Sequence, residues 1–222
     1  MTKLALAVTA LLTLGALPAH ADTITTQLTA QAGSTRIDAG MAVTITGRLT
    51  KAPGTTPIAG AQVPLSFCND DFCGEAGVAP VTDANGRYRA TVTPIRSGHY
   101  HADYLPADAV LAASSADTAN IVVLQPAKIT SFTAARDTAG KVATTGTIDF
   151  PGFTPSPIPV RIQYLSGSGC WTTATTIEAA WNGTTFAFSS STGHPAPGVW
   201  RAFYPGTPDF VHSATSKPTF VR

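Results

Sequence analysis

Between Arg87 and Val92 the chain alternates strictly, with Tyr88, Ala90 and Val92 apolar and Arg87, Arg89 and Thr91 polar. A period of two puts the apolar set on one face of a β-strand and the charges on the other. Asn85-Gly86, just upstream, predicts a type I′ hairpin turn, in which both central residues take positive φ. Pro94 has no N–H for a ladder and ends the strand. Ser97-Gly98 then turns the chain into a second alternation, Tyr100, Ala102 and Tyr104 against His99, His101 and Asp103.

The same pattern returns about a hundred residues later. Asn182-Gly183 leads to Phe186 and Phe188, and Gly198 to Trp200, Ala202 and Tyr204. Other pairs fall at offsets of 97 to 101: Val63 with Val160, Cys73 with Cys170, Gly47 with Gly146, Asp38 with Asp137, Asp108 with Asp209. Solenoid repeats are shorter, whereas one whole β-sandwich is about this long. The spacing predicts a duplicated domain.

Read in order, Thr23–Ala30 is a first strand, Val43–Leu49 a second, and Val63, Leu65 and Phe67 form the inner face of a third. Cys68–Gly77 reads as a polar loop, and Ile121–Leu124 closes the unit. Gln125-Pro126 is the whole linker, and without a Gly/Ser run it predicts limited freedom between the halves. The second half repeats the order: Ile129–Ala134, Val142–Phe150, Val160–Tyr164, Trp171–Glu178, Phe186–Ser190, Trp200–Tyr204 and Thr219–Val221. Short strands, turn residues between them and no helical periodicity predict an all-β protein of two tandem immunoglobulin-like β-sandwiches.

The N-terminus stands apart. Lys3 precedes the apolar run Leu4–Leu17, and Ala19-His20-Ala21 has the small-x-small form of a signal-peptidase site. The expected division is a signal peptide over 1–21, a first sandwich over 22–125 and a second over 126–222. The run is short for a membrane span, so the mature chain is expected to be secreted and free of the membrane.

Charged residues are 12% of the chain, with 14 Lys and Arg against 13 Asp and Glu. Removing the signal takes away Lys3 and leaves 13 of each. A neutral chain without a basic run is poorly equipped for nucleic acid, whose binding rests on phosphate neutralisation. Residues 22–125 carry 9 acids and 6 bases and residues 126–222 carry 4 and 7; surface imbalances of this size are energetically weak.

The pattern Gly60-Ala61-x-Val63, Thr82-Asp83-x-Asn85-Gly86-x-Tyr88 and Ser97-Gly98-x-Tyr100-x-Ala102-x-Tyr104 resembles the bacterial Ig-like repeats of secreted actinobacterial proteins. Cys170-Trp171-Thr172-Thr173 and Trp200-Arg201-Ala202-x-Tyr204-Pro205-Gly206 carry the likeness through the second half. The resemblance implies fold far more than function, since such repeats serve as spacers, adhesive units and accessory modules. It also implies a tyrosine corner at Tyr100. Ala102 and Ala202 stand where antibody-type domains have their second core cysteine, so no inter-sheet disulfide is expected.

Candidate chemistry is sparse. Cys68 and Cys73 enclose four residues and are read as a disulfide stapling the loop after the third strand, with Cys170 free or dimerising the protein; three reduced thiols are the alternative. His99 and His101 share an outward strand face beside Asp103, a spacing found in metal-binding sandwiches, but surface histidines without a third ligand are the simpler account. Asn69-Asp70-Asp71 has oxygen ligands suited to calcium without EF-hand spacing, and turns select the same residues. Trp171, Trp181, Phe203 and Phe210 enrich the second half in aromatics, Trp181 being expected in a loop just before Asn182-Gly183, and are read as a ligand surface, against the alternative of core or interface packing. No nucleophile–base pair, paired carboxylates or phosphate loop can be assembled. No cofactor is expected. The sequence reads as a non-catalytic extracellular binding, adhesive or spacer module with a protein or polysaccharide partner. The alternative is a small metal- or calcium-dependent secreted protein using His99 and His101 or Asp70 and Asp71.

Overall fold

A computed structural model describes residues 23–152, 155–193 and 197–222. The expected signal peptide, Phe153 and His194 lie outside the described residues. Every regular element described is a β-strand. In the first half these are β1 (Thr26–Ala32), β2 (Arg36–Asp38), β3 (Val43–Lys51), β4 (Thr56–Pro57) and β5 (Leu65–Cys68). They continue with β6 (Cys73–Val78), β7 (Arg87–Val92), β8 (His99–Tyr104), β9 (Ser114–Asp117) and β10 (Val122–Leu124). The second half runs β11 (Lys128–Arg136), β12 (Val142–Asp149), β13 (Pro159–Leu165), β14 (Trp171–Glu178) and β15 (Ala180–Trp181). It ends with β16 (Phe186–Thr192), β17 (Gly198–Tyr204), β18 (Ala214–Thr215) and β19 (Thr219–Val221).

In each half two sheets face each other across an apolar core. The first pairs β3 with β1, β4 and β7 in one sheet and orders β6-β5-β8-β9 in the other, while β2 and β10 form a short parallel pair. The second orders β11-β12-β16-β15 against β14-β13-β17-β18, with β19 also on β17. Two tandem Ig-like β-sandwiches result. Alternation explains the cores. Tyr88, Ala90 and Val92 point in from β7, and Tyr100, Ala102 and Tyr104 from β8, onto Ile45, Leu49, Val63 and Ile121. In the second core Trp200, Ala202 and Tyr204 are fully buried against Val142, Ile148, Val160 and Ile162.

Four local expectations differ. Asn85 does not take positive φ; Gly86 alone does, at 72°. The Asp83 carboxylate accepts the backbone N–H groups of Asn85 and Arg87, both at 2.8 Å, and Gly86 N donates to Asp83 O. The turn is therefore set by an Asx contact and one left-handed glycine. Around Asn182-Gly183 likewise only Gly183 is left-handed. Second, Cys68–Gly77 is not one loop: its second part is β6, paired antiparallel with β5, and only Asn69–Phe72 connects them. Third, the tyrosine hydroxyl that reaches a backbone carbonyl is Tyr88's, bonded to Thr29 O at 2.8 Å, while Tyr100 is tied through its backbone N–H to Thr118. Fourth, Trp181 sits on the short strand β15, not in a loop.

The linker is held on both sides. Gln125 N donates to Phe210 O, His212 N to Gln125 O, and the Gln125 side chain to Ile95 O. Arg36 pairs with Asp209 and Asp38 with His212 across the same junction.

Candidate binding surface

The outer face of the sheet β14-β13-β17 brings together two of the second sandwich's aromatics, Trp171 and Phe203. On β17 the inward set Trp200, Ala202 and Tyr204 sends Arg201 and Phe203 outward. On β13 the inward Val160 and Ile162 leave Arg161 and Gln163 outside. β14 needs one more device. Trp171 and Ile177 are both odd-numbered and would share a face in a regular strand, but the register shifts between Ile162 and Gln163, so that Ala174 is an extra residue on β14. Beyond this bulge the alternation changes phase. Ile177 packs on the core and Trp171 stands outside, opposite Leu165.

Register then sets Thr173, Gln163 and Arg201 side by side across three strands. Gln163 Nε2 donates to Thr173 Oγ1 at 3.2 Å, and Arg201 Nε donates to Gln163 Oε1 at 2.9 Å. The Arg201 guanidinium lies 4.1 Å from the centroid of the Trp171 ring and 5.7 Å from that of Phe203. Both are within cation–π range. Gln163 is only 7% exposed, sealed beneath this stack. Burial pushes the Arg201 guanidinium below its ordinary pKa.

Two of the four expected aromatics, Trp171 and Phe203, therefore meet through a residue the sequence reading did not single out. The other two lie elsewhere. Trp181 is 58% exposed on the opposite sheet, its ring 5.1 Å from Phe186. Phe210 lies at the junction, lining an open cleft of about 660 Å³ with Asn69, Asp70, Asp71 and Ile95. Gln163 and Arg201 are 38 residues apart, so only strand pairing reveals their contact. The available signal was Arg201's outward parity beside Phe203.

Cys68 and Cys73 are joined in a disulfide at the β5–β6 hairpin. Cys170 is free and exposed. Leu165 stands at the repeat position of Cys68, which leaves Cys170 without a hairpin partner. The Asn69 carboxamide accepts the backbone N–H groups of Asp71 and Phe72, shaping the loop that carries Asp70 and Asp71.

His99 and His101 do share the outer face of β8. His101 Nδ1 lies 2.6 Å from Asp117 Oδ1 and its Nε2 lies 3.1 Å from Asp103 Oδ1, while His99 Nε2 is 3.8 Å from Asp117. The bond to Asp117 is the main reason the His101 pKa is raised. Both ring nitrogens of His101 are thus occupied by carboxylates, and among the described residues no group of three or more His, Cys, Asp or Glu is placed to hold a metal ion.

No protein-family model and no curated protein matches the chain. Solved structures do. The Yersinia pseudotuberculosis adhesin InvE is 14% identical, with 87% of this chain and 58% of that one covered and a TM-score of 0.36. The Escherichia coli adhesin FdeC is 15% identical, with 89% and 64% covered and a TM-score of 0.41. A marsupial T cell receptor is 11% identical, with 88% and 72% covered and a TM-score of 0.41. The chain spans about three fifths of the two adhesin structures. At these identities and TM-scores no role of those proteins transfers to this chain.

Proposed function

We propose that the protein is a non-catalytic extracellular module of the kind its resemblance to secreted actinobacterial repeats implies. Residues 1–21 are its signal peptide, and 22–125 and 126–222 its two sandwiches. It binds a polysaccharide or protein surface outside the cell through the outer face of β14-β13-β17. The observation that carries this reading is the Trp171–Arg201–Phe203 stack. Aromatic rings and a guanidinium held in one place on an open sheet face are what contact surfaces concentrate, and a core-packing role would have turned them inward. Among the described residues no helix is long and apolar enough to cross a membrane.

The test is sedimentation of the chain from Asp22 onward with insoluble polysaccharides and cell walls, with and without EDTA. Saturable binding that survives EDTA and is lost in Trp171→Ala supports the reading. Loss in Trp181→Ala instead would move the contact to the opposite sheet. Binding abolished by EDTA would favour a metal-dependent protein, and no binding to any surface would overturn the adhesive role.

A further inference from the structure

The strand position of Arg201 has a counterpart in the first sandwich, and the two are treated differently. Tyr100, Ala102 and Tyr104 correspond to Trp200, Ala202 and Tyr204, so His101 stands where Arg201 does. The first sandwich supplies His101 with two carboxylates, Asp103 on its own strand and Asp117 on β9. In the second, Phe203 replaces Asp103, and β18 with the Ser216-Lys217 that follows brings no acid. No ion pair among the described residues includes Arg201 or Arg161. Glu178, at the far end of β14 opposite Pro159, is the one acid on β13, β14 and β17.

Arg201 is nevertheless fixed. Its Nε is committed to Gln163, Gln163 is sealed and held by Thr173, and the guanidinium plane is stacked on Trp171. What remains is the Nη edge, whose paired N–H groups match the two oxygens of a carboxylate. We propose that this face is an anion-binding surface on which the Arg201 guanidinium receives a carboxylate of an acidic polysaccharide, with Arg161 receiving a second further along the polymer. The inference rests on the reading that this face is the contact surface.

Three features favour a uronate polymer over an acidic peptide. Arg161 and Arg201 stand on β13 and β17, which are flanked on both sides, so the main-chain groups beneath the two guanidiniums are already paired and only the β14 edge is open to a peptide strand. Recognition therefore falls to side chains: the rings of Trp171 and Phe203 suit the apolar faces of pyranoses, and the hydroxyl of Thr173 lies beside them. Arg161 lies on the same face as Arg201, paired across from Phe203, and a chain of repeated carboxylates engages both through effective concentration. The partial burial that lowers the Arg201 pKa also strengthens any charge-assisted bond formed there.

The experiment titrates the chain from Asp22 onward with polygalacturonate, a neutral dextran and poly-glutamate, alongside Arg201→Gln, Arg201→Lys and Arg161→Gln, with circular dichroism to check that each variant is folded. Expected is binding to polygalacturonate that weakens with salt and falls roughly ten- to hundredfold in Arg201→Gln. Arg201→Lys should recover little, because an ammonium lacks the fork. Equal binding to dextran, or full affinity in folded Arg201→Gln, would overturn the proposal. Tighter binding to poly-glutamate would overturn it in favour of an acidic protein partner. No affinity for polygalacturonate while cell-wall sedimentation persists would overturn the uronate inference alone; loss of both would overturn the surface reading too.

Discussion

The ring of Tyr88 lies across Gly47 on the neighbouring strand, and its hydroxyl passes over β3 to bond Thr29 O on β1. A methyl at Gly47 would meet Tyr88 ring carbons at 2.5 Å and would also collide with Thr29 O. The second sandwich repeats the arrangement, with Phe188 over Gly146 and Ser131 O behind it. In both copies an aromatic ring fills the space that a side chain on the central strand would take. The glycine is needed for room rather than for its backbone freedom. Gly47→Ala should therefore cost about 1–3 kcal/mol through overpacking. Gly146→Ala should do the same in the other sandwich. Two-step thermal unfolding in which each substitution lowers a different transition is the expected outcome; an unchanged melting profile would contradict it.

Tyr88 also carries a pH signature. Burial raises its pKa from 10.0 to about 12. Because the folded value is the higher, the folded chain keeps this proton while the unfolded chain releases it, so stability present below pH 10 is lost between about pH 10 and 12. Tyr88→Phe should make urea midpoints fall less steeply across that window. Some slope should persist, since burial also raises the pKa of Tyr100 and Tyr104.

A second pH effect belongs to the outer face of β8. The His101 pKa is raised chiefly by its bond to Asp117, with Asp103 adding to it against the opposing effect of burial. The folded value again lies above the unfolded one. The bond thus stabilises the first sandwich below the ordinary histidine value of about 6.5, and this is lost as pH rises through the higher folded value. His101→Gln should flatten that dependence, and Asp117→Asn should do so more than Asp103→Asn, in thermal unfolding followed from pH 5 to 9.

Much of this architecture was legible because alternation is local. The inward sets of β7, β8 and β17 could be written down from Tyr88, Tyr100 and Trp200 onward, and the hundred-residue offset follows from the same positions. What stayed hidden depends on pairing between distant strands. Nothing near Trp171 announces that Ala174 is an extra residue, yet that bulge decides which face the indole takes. Gln163 reads as one more polar residue until register sets it between Thr173 and Arg201. The Asn85-Gly86 turn misled for a related reason. Asp83, two residues upstream of Asn85, captured the N–H groups that decide the turn, and a dipeptide rule does not weigh it.

The junction gives the last expectation. Arg36–Asp209 and Asp38–His212 join exposed side chains, and such pairs contribute about 0–1 kcal/mol each. The main-chain bonds of Gln125 to Phe210 and His212 are independent of those charges. Arg36→Gln combined with Asp38→Asn should therefore leave the small-angle scattering envelope nearly unchanged. Inserting four Gly/Ser residues after Gln125 should release the second sandwich and raise the radius of gyration, because a flexible linker replaces a paired one. Both melting transitions should survive the insertion, since each core is built within its own half. A larger radius in the charge variant than in the insertion variant would show that the ion pairs, and not the linker backbone, hold the two sandwiches together.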